Sequence, residues 1–358
     1  MEVIFGVIYH FIGGAASGSF YMPFKKVKKW AWESYWLVGG LFSWLIVPPL
    51  AAWLTVPGFW NIIHSTEIST LWWTYFMGVL WGIGGLTYGL GVRYLGMSLG
   101  NTVILGLTAA CGALLPAVYY DLVPHDGKVT FTQMLDNRWG QFVLVGVLIC
   151  LIGIVVCGRA GLLKEKELAI GQKANEGQNN NKEEFSIVAG LIVAVISGLL
   201  SACFNYGIEA GTPMAEMAVS RGINPLFQNN VIYVVLLWGG LTTNFIWCII
   251  LNVKNKSYTD YADGQAPLRA NYLLSALAGT TWFLQFFFYG MGESKLGNGA
   301  SSWILHMAFI ILVANMWGLV LKEWKGVSRR TKITITAGIV AILLSIFFVG
   351  YGNMLAAG

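Results

Sequence analysis

Ten stretches of mostly apolar residues, each long enough to cross a lipid bilayer at roughly 20 residues per span, decide what this chain can fold into. Their approximate cores are 3–22, 35–56, 71–92, 97–120, 139–159, 185–206, 227–252, 270–291, 299–321 and 332–355. Hydrocarbon offers a backbone N–H or C=O no partner, so a crossing segment must satisfy its own hydrogen bonds. Helices do so. A closed barrel would also, but its strands alternate in polarity and these segments do not. The expected fold is an all-α polytopic membrane protein with ten transmembrane helices. Composition agrees: 56% of the 358 residues are hydrophobic and 11% are charged, against about 25% charged in soluble domains, and mean hydropathy is +0.64.

Charge then sets orientation. Of the 22 Lys and Arg residues, eighteen fall in the odd-numbered loops, including Lys25, Lys26, Lys28, Lys29 and the run from Lys322 to Lys332. Lys128, Arg138, Arg221 and Lys295 make up the even-numbered set. Basic loops stay cytoplasmic, so both termini are expected on the external side of the membrane. The net charge of +5 is thereby explained by topology, and nucleic acid is not an expected partner. The first apolar stretch lacks a preceding basic region, with KKVKK after it, and reads as a retained helix. The five cysteines lie inside apolar segments without a CxxC pair and read as small core residues, with neither a disulfide framework nor a metal site expected of them.

The chain also echoes itself. Shifting WGIGGLTYGLGVRYLGMSLG (Trp81 to Gly100) by 201 positions lays it on WFLQFFFYGMGESKLGNGAS (Trp282 to Ser301). Trp81 then meets Trp282, Tyr88 meets Tyr289, and Leu95 meets Leu296. A second echo pairs Gly14, Ser17 and Phe20 with Gly198, Ser201 and Phe204. With five helices per half the second half enters from the opposite side, so the fold reads as two inverted five-helix repeats, the architecture of many secondary transporters. Residues 1–160 form the first repeat and 185–358 the second. The polar, Asn-rich 161–184 segment is a cytoplasmic linker.

Longer strings carry a family resemblance. PFKKVKKWAWE (Pro23 to Glu33), VGG (Val38 to Gly40), the Trp81–Gly100 stretch, RAGLLKE (Arg159 to Glu165), WFLQFFFYGMG (Trp282 to Gly292), SWILHM (Ser302 to Met307) and GLVLKEW (Gly318 to Trp324) run nearly end to end. They are similar to those of the L-rhamnose–proton symporters of the drug/metabolite transporter superfamily. The match is weaker over the linker and from Thr212 to Tyr261. The resemblance implies import of L-rhamnose, or a closely related neutral deoxy sugar, by alternating access. The proton is the coupling ion, and no other cofactor is implied.

A sugar ring needs a flat aromatic surface for its C–H face and amides or hydroxyls for its oxygens. Trp282, Gln285, Tyr289 and Trp303 are the candidates in the second half, and Trp81, Tyr88, Asn101 and Thr102 in the first. They are expected around a cavity between the two halves. Gln285 is the sharpest, since an unpaired amide within WFLQFFFYG is costly; it serves either the sugar or an interhelical hydrogen bond. Each aromatic alternatively packs or anchors at the membrane interface. Proton coupling needs a group that titrates within the spans. His10 and His306 qualify, their alternative being a neutral imidazole donating to a carbonyl. Glu33 is a third candidate, its alternative being a carboxylate favoured by a helix N-terminus and nearby lysines. No basic cavity suited to phosphorylated cargo appears. Neither do clustered acids or histidines of the kind a membrane enzyme needs. The rival reading is an uncoupled facilitator or exporter of sugars or small metabolites with the same fold.

Overall fold

The computed structural model describes residues 1–95, 97–125, 127–173, 187–322 and 324–357, and no strand occurs among them. From residue 174 on, the expected linker lies outside the described residues. Ten long helices follow in order: α1 Glu2–Ser19, α2 Trp32–Thr55, α3 Ile68–Leu95, α4 Met97–Leu122 and α5 Arg138–Lys173, then α6 Ile187–Ala210, α7 Asn230–Asn255, α8 Leu268–Leu296, α9 Gly299–Val320 and α10 Arg329–Ala357. Among the described residues, nine helices are long and apolar enough to cross a membrane. The remaining long helix is α8, whose 29 residues would extend about 43 Å at 1.5 Å per residue. Each apolar core read from the sequence falls on one of these ten within a few residues. Their outer surfaces are apolar, with Trp53, Leu148, Val155 and Phe347 exposed, while Ser34, Ser197, Asn271 and Thr331 are buried. Polar groups turned inward and apolar ones outward are what a lipid solvent demands.

The chain divides into two compact units, and each draws on both halves of the sequence. The first comprises residues 1–83 and 203–297, the second residues 84–202 and 298–358. The division falls inside α3 and α6.

In the first unit α1 runs antiparallel along α8. Lys295 pairs with Glu2 at 2.5 Å at one end. Gly6 lies against Leu296, His10 against Gly292 and Phe20 against Trp282. At the other end Asn271 exchanges two hydrogen bonds with the Lys28 backbone. Helix α2 crosses α8 where Gly39 and Gly279 touch; a Cβ on Gly279 would overlap the Gly39 carbonyl. Helix α7 packs on α3 through Gly239 and Gly78, with Tyr75 and Thr242 hydroxyls 2.7 Å apart. Small residues let these backbones meet, and dispersion rather than hydrophobic exclusion then holds them.

The second unit is centred on α5 and α10, antiparallel, with Gly146 against Val349 and Gly153 against Ile342. Helix α4 lies on α5 where Thr102 meets Gly158, and on α6 where the Thr108 hydroxyl donates to the Gly198 carbonyl at 3.2 Å. The final part of α3 packs on the first part of α6. Here Gly190 meets Leu95 and Gly91 meets Ala194. These contacts repeat, in the registers of the two sequence echoes, those of Gly6 with Leu296 and Gly292 with His10 in the first unit.

Candidate functional site

Helix α2 is interrupted by a π-helical stretch, Leu41–Ile46. The cause is local. Pro48 and Pro49 follow, and neither can donate to a carbonyl four residues back, while each ring crowds that carbonyl. The turn widens, and the Val47 N–H reaches five residues back to the Phe42 carbonyl. Wide turns of this kind recur at functional sites. This one directs Ser43 and Trp44 into a recess of the first unit that Phe20, Trp36 and Trp282 also line. Phe24, Gly39, Gly40 and Gly279 complete its lining. In this conformation the recess has room for about one water and none for a sugar ring. Both Ser43 Oγ and Trp44 Nε1 are buried without a hydrogen-bond partner among the described residues.

Trp282 links the recess to an aromatic cluster. Its ring stacks on Trp81, centroids 5.5 Å apart and planes 15° from parallel, and meets Trp44 edge-on at 5.5 Å. Phe204 lies 5.0 Å from Trp81, and Phe20 lies 5.9 Å from Trp282. The two Trp–Phe pairs are related by the sequence echoes. Beside this cluster on α8, Gln285 is 5% exposed and its Nε2 has no hydrogen-bond partner among the described residues. One turn further, the Tyr289 hydroxyl donates to Asn205 Oδ1 at 3.2 Å. His10, fully buried, packs edge-on to Tyr289 with centroids 5.3 Å apart.

Glu33 sits in the first unit, at the far end of α1 and α8 from the Glu2–Lys295 pair. It is 4% exposed, and its carboxylate accepts hydrogen bonds from Ser257 Oγ at 2.6 Å and Asn255 Nδ2 at 2.9 Å. Asp260 beside it accepts from the Ala31 N–H and the Ser34 hydroxyl, both at 2.7 Å. An acid is thus held at the start of α2 by the α7–α8 connection, capping orphan N–H groups from another element.

The other sequence candidates belong to the second unit. The Tyr88 hydroxyl donates to Asn101 Oδ1 at 2.7 Å, the same phenol–amide pairing that Tyr289 makes with Asn205. Trp303 donates its indole N–H to the Thr108 carbonyl at 2.9 Å, over Gly112. Thr102 packs on Gly158, and His306 is buried on α9. The structure therefore joins Trp81, Trp282, Gln285, Tyr289 and His10 within one unit, and Tyr88 and Asn101 within the other. Ser43, Trp44 and Trp36 were missed by the sequence reading. Pro48–Pro49 after an apolar run was their one available signal.

A search against protein-family models matches residues 1–356 to the L-rhamnose-proton symport protein family. The chain belongs to this family. It is 39% identical over 355 residues to the L-rhamnose-proton symporter of Yersinia pestis strain Pestoides F, an alignment covering 98% of each protein. The L-rhamnose-proton symporter of Citrobacter koseri is 38% identical over the same length and coverage. The family and these relatives are transporters rather than enzymes.

Proposed function

We propose that this protein imports L-rhamnose, or a closely related deoxy sugar, by symport with protons across a bacterial inner membrane. The observation that carries the reading is the match to symporters at 39% identity with 98% of both chains aligned. The proton is the coupling ion and no resident cofactor takes part. The fold is two inverted five-helix repeats, termini periplasmic, working by alternating access. What supports the repeat is the recurrence of matched contacts: Gly6–Leu296 with Gly190–Leu95, and Phe20–Trp282 with Phe204–Trp81.

For the sugar, the indoles of Trp44, Trp81 and Trp282 supply apolar faces. Ser43 Oγ, Trp44 Nε1 and Gln285 Nε2 are buried groups that can bond ring hydroxyls. Such groups cost about 1–3 kcal/mol each while unsatisfied, so a ligand that satisfies them recovers that cost on binding. The stacked Trp81 and Trp282 must part, and the recess must widen, before a ring can enter. A conformational change coupled to binding is therefore built into the site. Tyr88, Asn101, Thr102 and Trp303 serve the sugar path of the second unit. His10, His306 and Glu33 remain the proton-binding candidates read from the sequence.

The test is uptake of labelled L-rhamnose into proteoliposomes carrying the purified protein. An inward proton gradient is expected to drive accumulation above the external concentration, and collapsing it should leave only equilibration. Equilibration alone under a maintained gradient would overturn symport and leave the facilitator.

A further inference from the structure

Glu293 drew no notice in the sequence, yet it lies in a cluster of polar side chains in the first unit. Its partly buried carboxylate accepts a 2.6 Å hydrogen bond from Nδ2 of Asn229, a buried residue at the start of α7. One turn back on α8 is Tyr289, hydrogen-bonded to Asn205 of α6. From α1, His10 packs against Tyr289 and so close to Gly292 that a Cβ there would strike the imidazole. From α7, Tyr233 brings its hydroxyl to 3.0 Å from where a Gly290 Cβ would stand. Two glycines flanking this stretch thus make the room in which a histidine and a phenol sit.

The matched helix pairing tells which of these groups the packing needs. In the second unit the same crossing of α3 and α6 is made with Gly91 in the place of Gly292. There Ala194 occupies the position of His10, and Val92 that of Glu293. The crossing forms with apolar residues at both positions. A buried imidazole and a carboxylate are expensive to desolvate, so their presence on one side only calls for a role other than packing.

Resting on the proton-symport reading above, we propose that Glu293 is a proton-binding carboxylate of this transporter, with His10 as its titratable neighbour and Asn229 as its positioning residue. The proton adds from water to a carboxylate oxygen of Glu293, giving the neutral acid, and departs from that oxygen in the opposite conformation. Asn229 Nδ2 is a donor and so favours the anion; a conformation that lengthens this bond favours the acid. Facing Glu293 and its neighbours are His10 from α1, Tyr233 from α7, Tyr289 on α8 itself, and Glu209 from α6, whose charge acts on Tyr289. The Lys295–Glu2 pair closes the helix end.

The experiment uses the full chain in proteoliposomes. It reads L-rhamnose accumulation under an inward proton gradient, and exchange at equal pH. Glu293→Gln is expected to cut accumulation at least about tenfold, while exchange stays within about twofold of wild type. Wild-type accumulation overturns the proposal. So does loss of both activities in a protein of unchanged thermal stability, which would assign Glu293 to the sugar path. Asn229→Ala provides the second arm should Glu293→Gln fail to fold. Removing the donor raises the proton affinity of the carboxyl, so the pH of half-maximal uptake should move to the alkaline side. An unmoved midpoint overturns the proposal. A wild-type protein indifferent to the gradient is a separate result, and takes the symport reading down with it.

Discussion

Gln285 lies three residues after Trp282 and four before Tyr289, so all three project from one side of α8. Its Nε2 is buried with no partner among the described residues. An amide so placed costs about 1–3 kcal/mol until something accepts from it. Truncation removes that cost from the empty protein and the donor from the complex. Gln285→Ala is therefore expected to keep or raise thermal stability while weakening L-rhamnose affinity about tenfold or more. Calorimetric titration and thermal unfolding of the detergent-purified variant check both halves. Unchanged affinity would reduce Gln285 to a packing residue. Glu33 is different in kind. Its carboxylate already accepts from Ser257 and Asn255, so it has partners that a structural acid would have. Glu293 shares that feature but sits among groups with no counterpart in the matched crossing.

At the scale of the element, the π-helical turn of α2 is where backbone and site meet. Pro48 and Pro49 are tolerated because the turn before them has widened, and the widening is what aims Ser43 and Trp44 into the recess. Interior proline is about 3 kcal/mol less favourable in a helix than alanine. Replacing both (Pro48→Ala with Pro49→Ala) is expected to give a protein at least as stable as wild type, with the turn free to tighten and rotate the two side chains. L-Rhamnose affinity should fall about tenfold, while thermal unfolding moves up or stays. Retained affinity would separate the turn from the sugar. This element also marks the limit of what sequence could tell. Ten apolar runs announced ten helices because lipid leaves few other choices. Trp81 and Trp282 were legible as counterparts because the internal echo superposes them, but that they stack on each other was not. Ser43 and Trp44 were not, since LFSWLI reads as any apolar turn until a carbonyl is displaced by the prolines behind it. Glu293 was hidden because an acid beside Lys295 near a helix end reads as an interfacial pair; its partner Asn229 is 64 positions away.

For the whole molecule, the number of spans turns on α8. It carries Arg269, Asn271, Gln285, Glu293 and Lys295, and it is not among the nine helices that pass on length and apolarity. Length argues that it crosses the membrane: about 43 Å of helix exceeds the roughly 30 Å hydrocarbon core. Packing argues the same. Helix α8 runs beside the membrane-length helix α1 from the Glu2–Lys295 pair to the Lys28–Asn271 bonds. A crossing α8 makes ten spans and sets the loops before and after the α8–α9 pair on one side; nine spans would set them on opposite sides. Single cysteines at Gly264, before α8, and at Lys325, after α9, read this directly, because both positions are exposed and lie outside the spans. A third at His125, exposed between α4 and α5, reports the other face. The background is a chain with its five native cysteines replaced. In right-side-out vesicles an impermeant maleimide should label His125→Cys, and leave Gly264→Cys and Lys325→Cys dark until detergent opens the membrane. The basic asymmetry that places eighteen of 22 Lys and Arg residues in the odd loops requires that pattern. Labelling of Gly264→Cys and Lys325→Cys in place of His125→Cys would invert the orientation and keep ten spans. Labelling of only one of the two would remove α8 from the membrane and the inverted repeat with it.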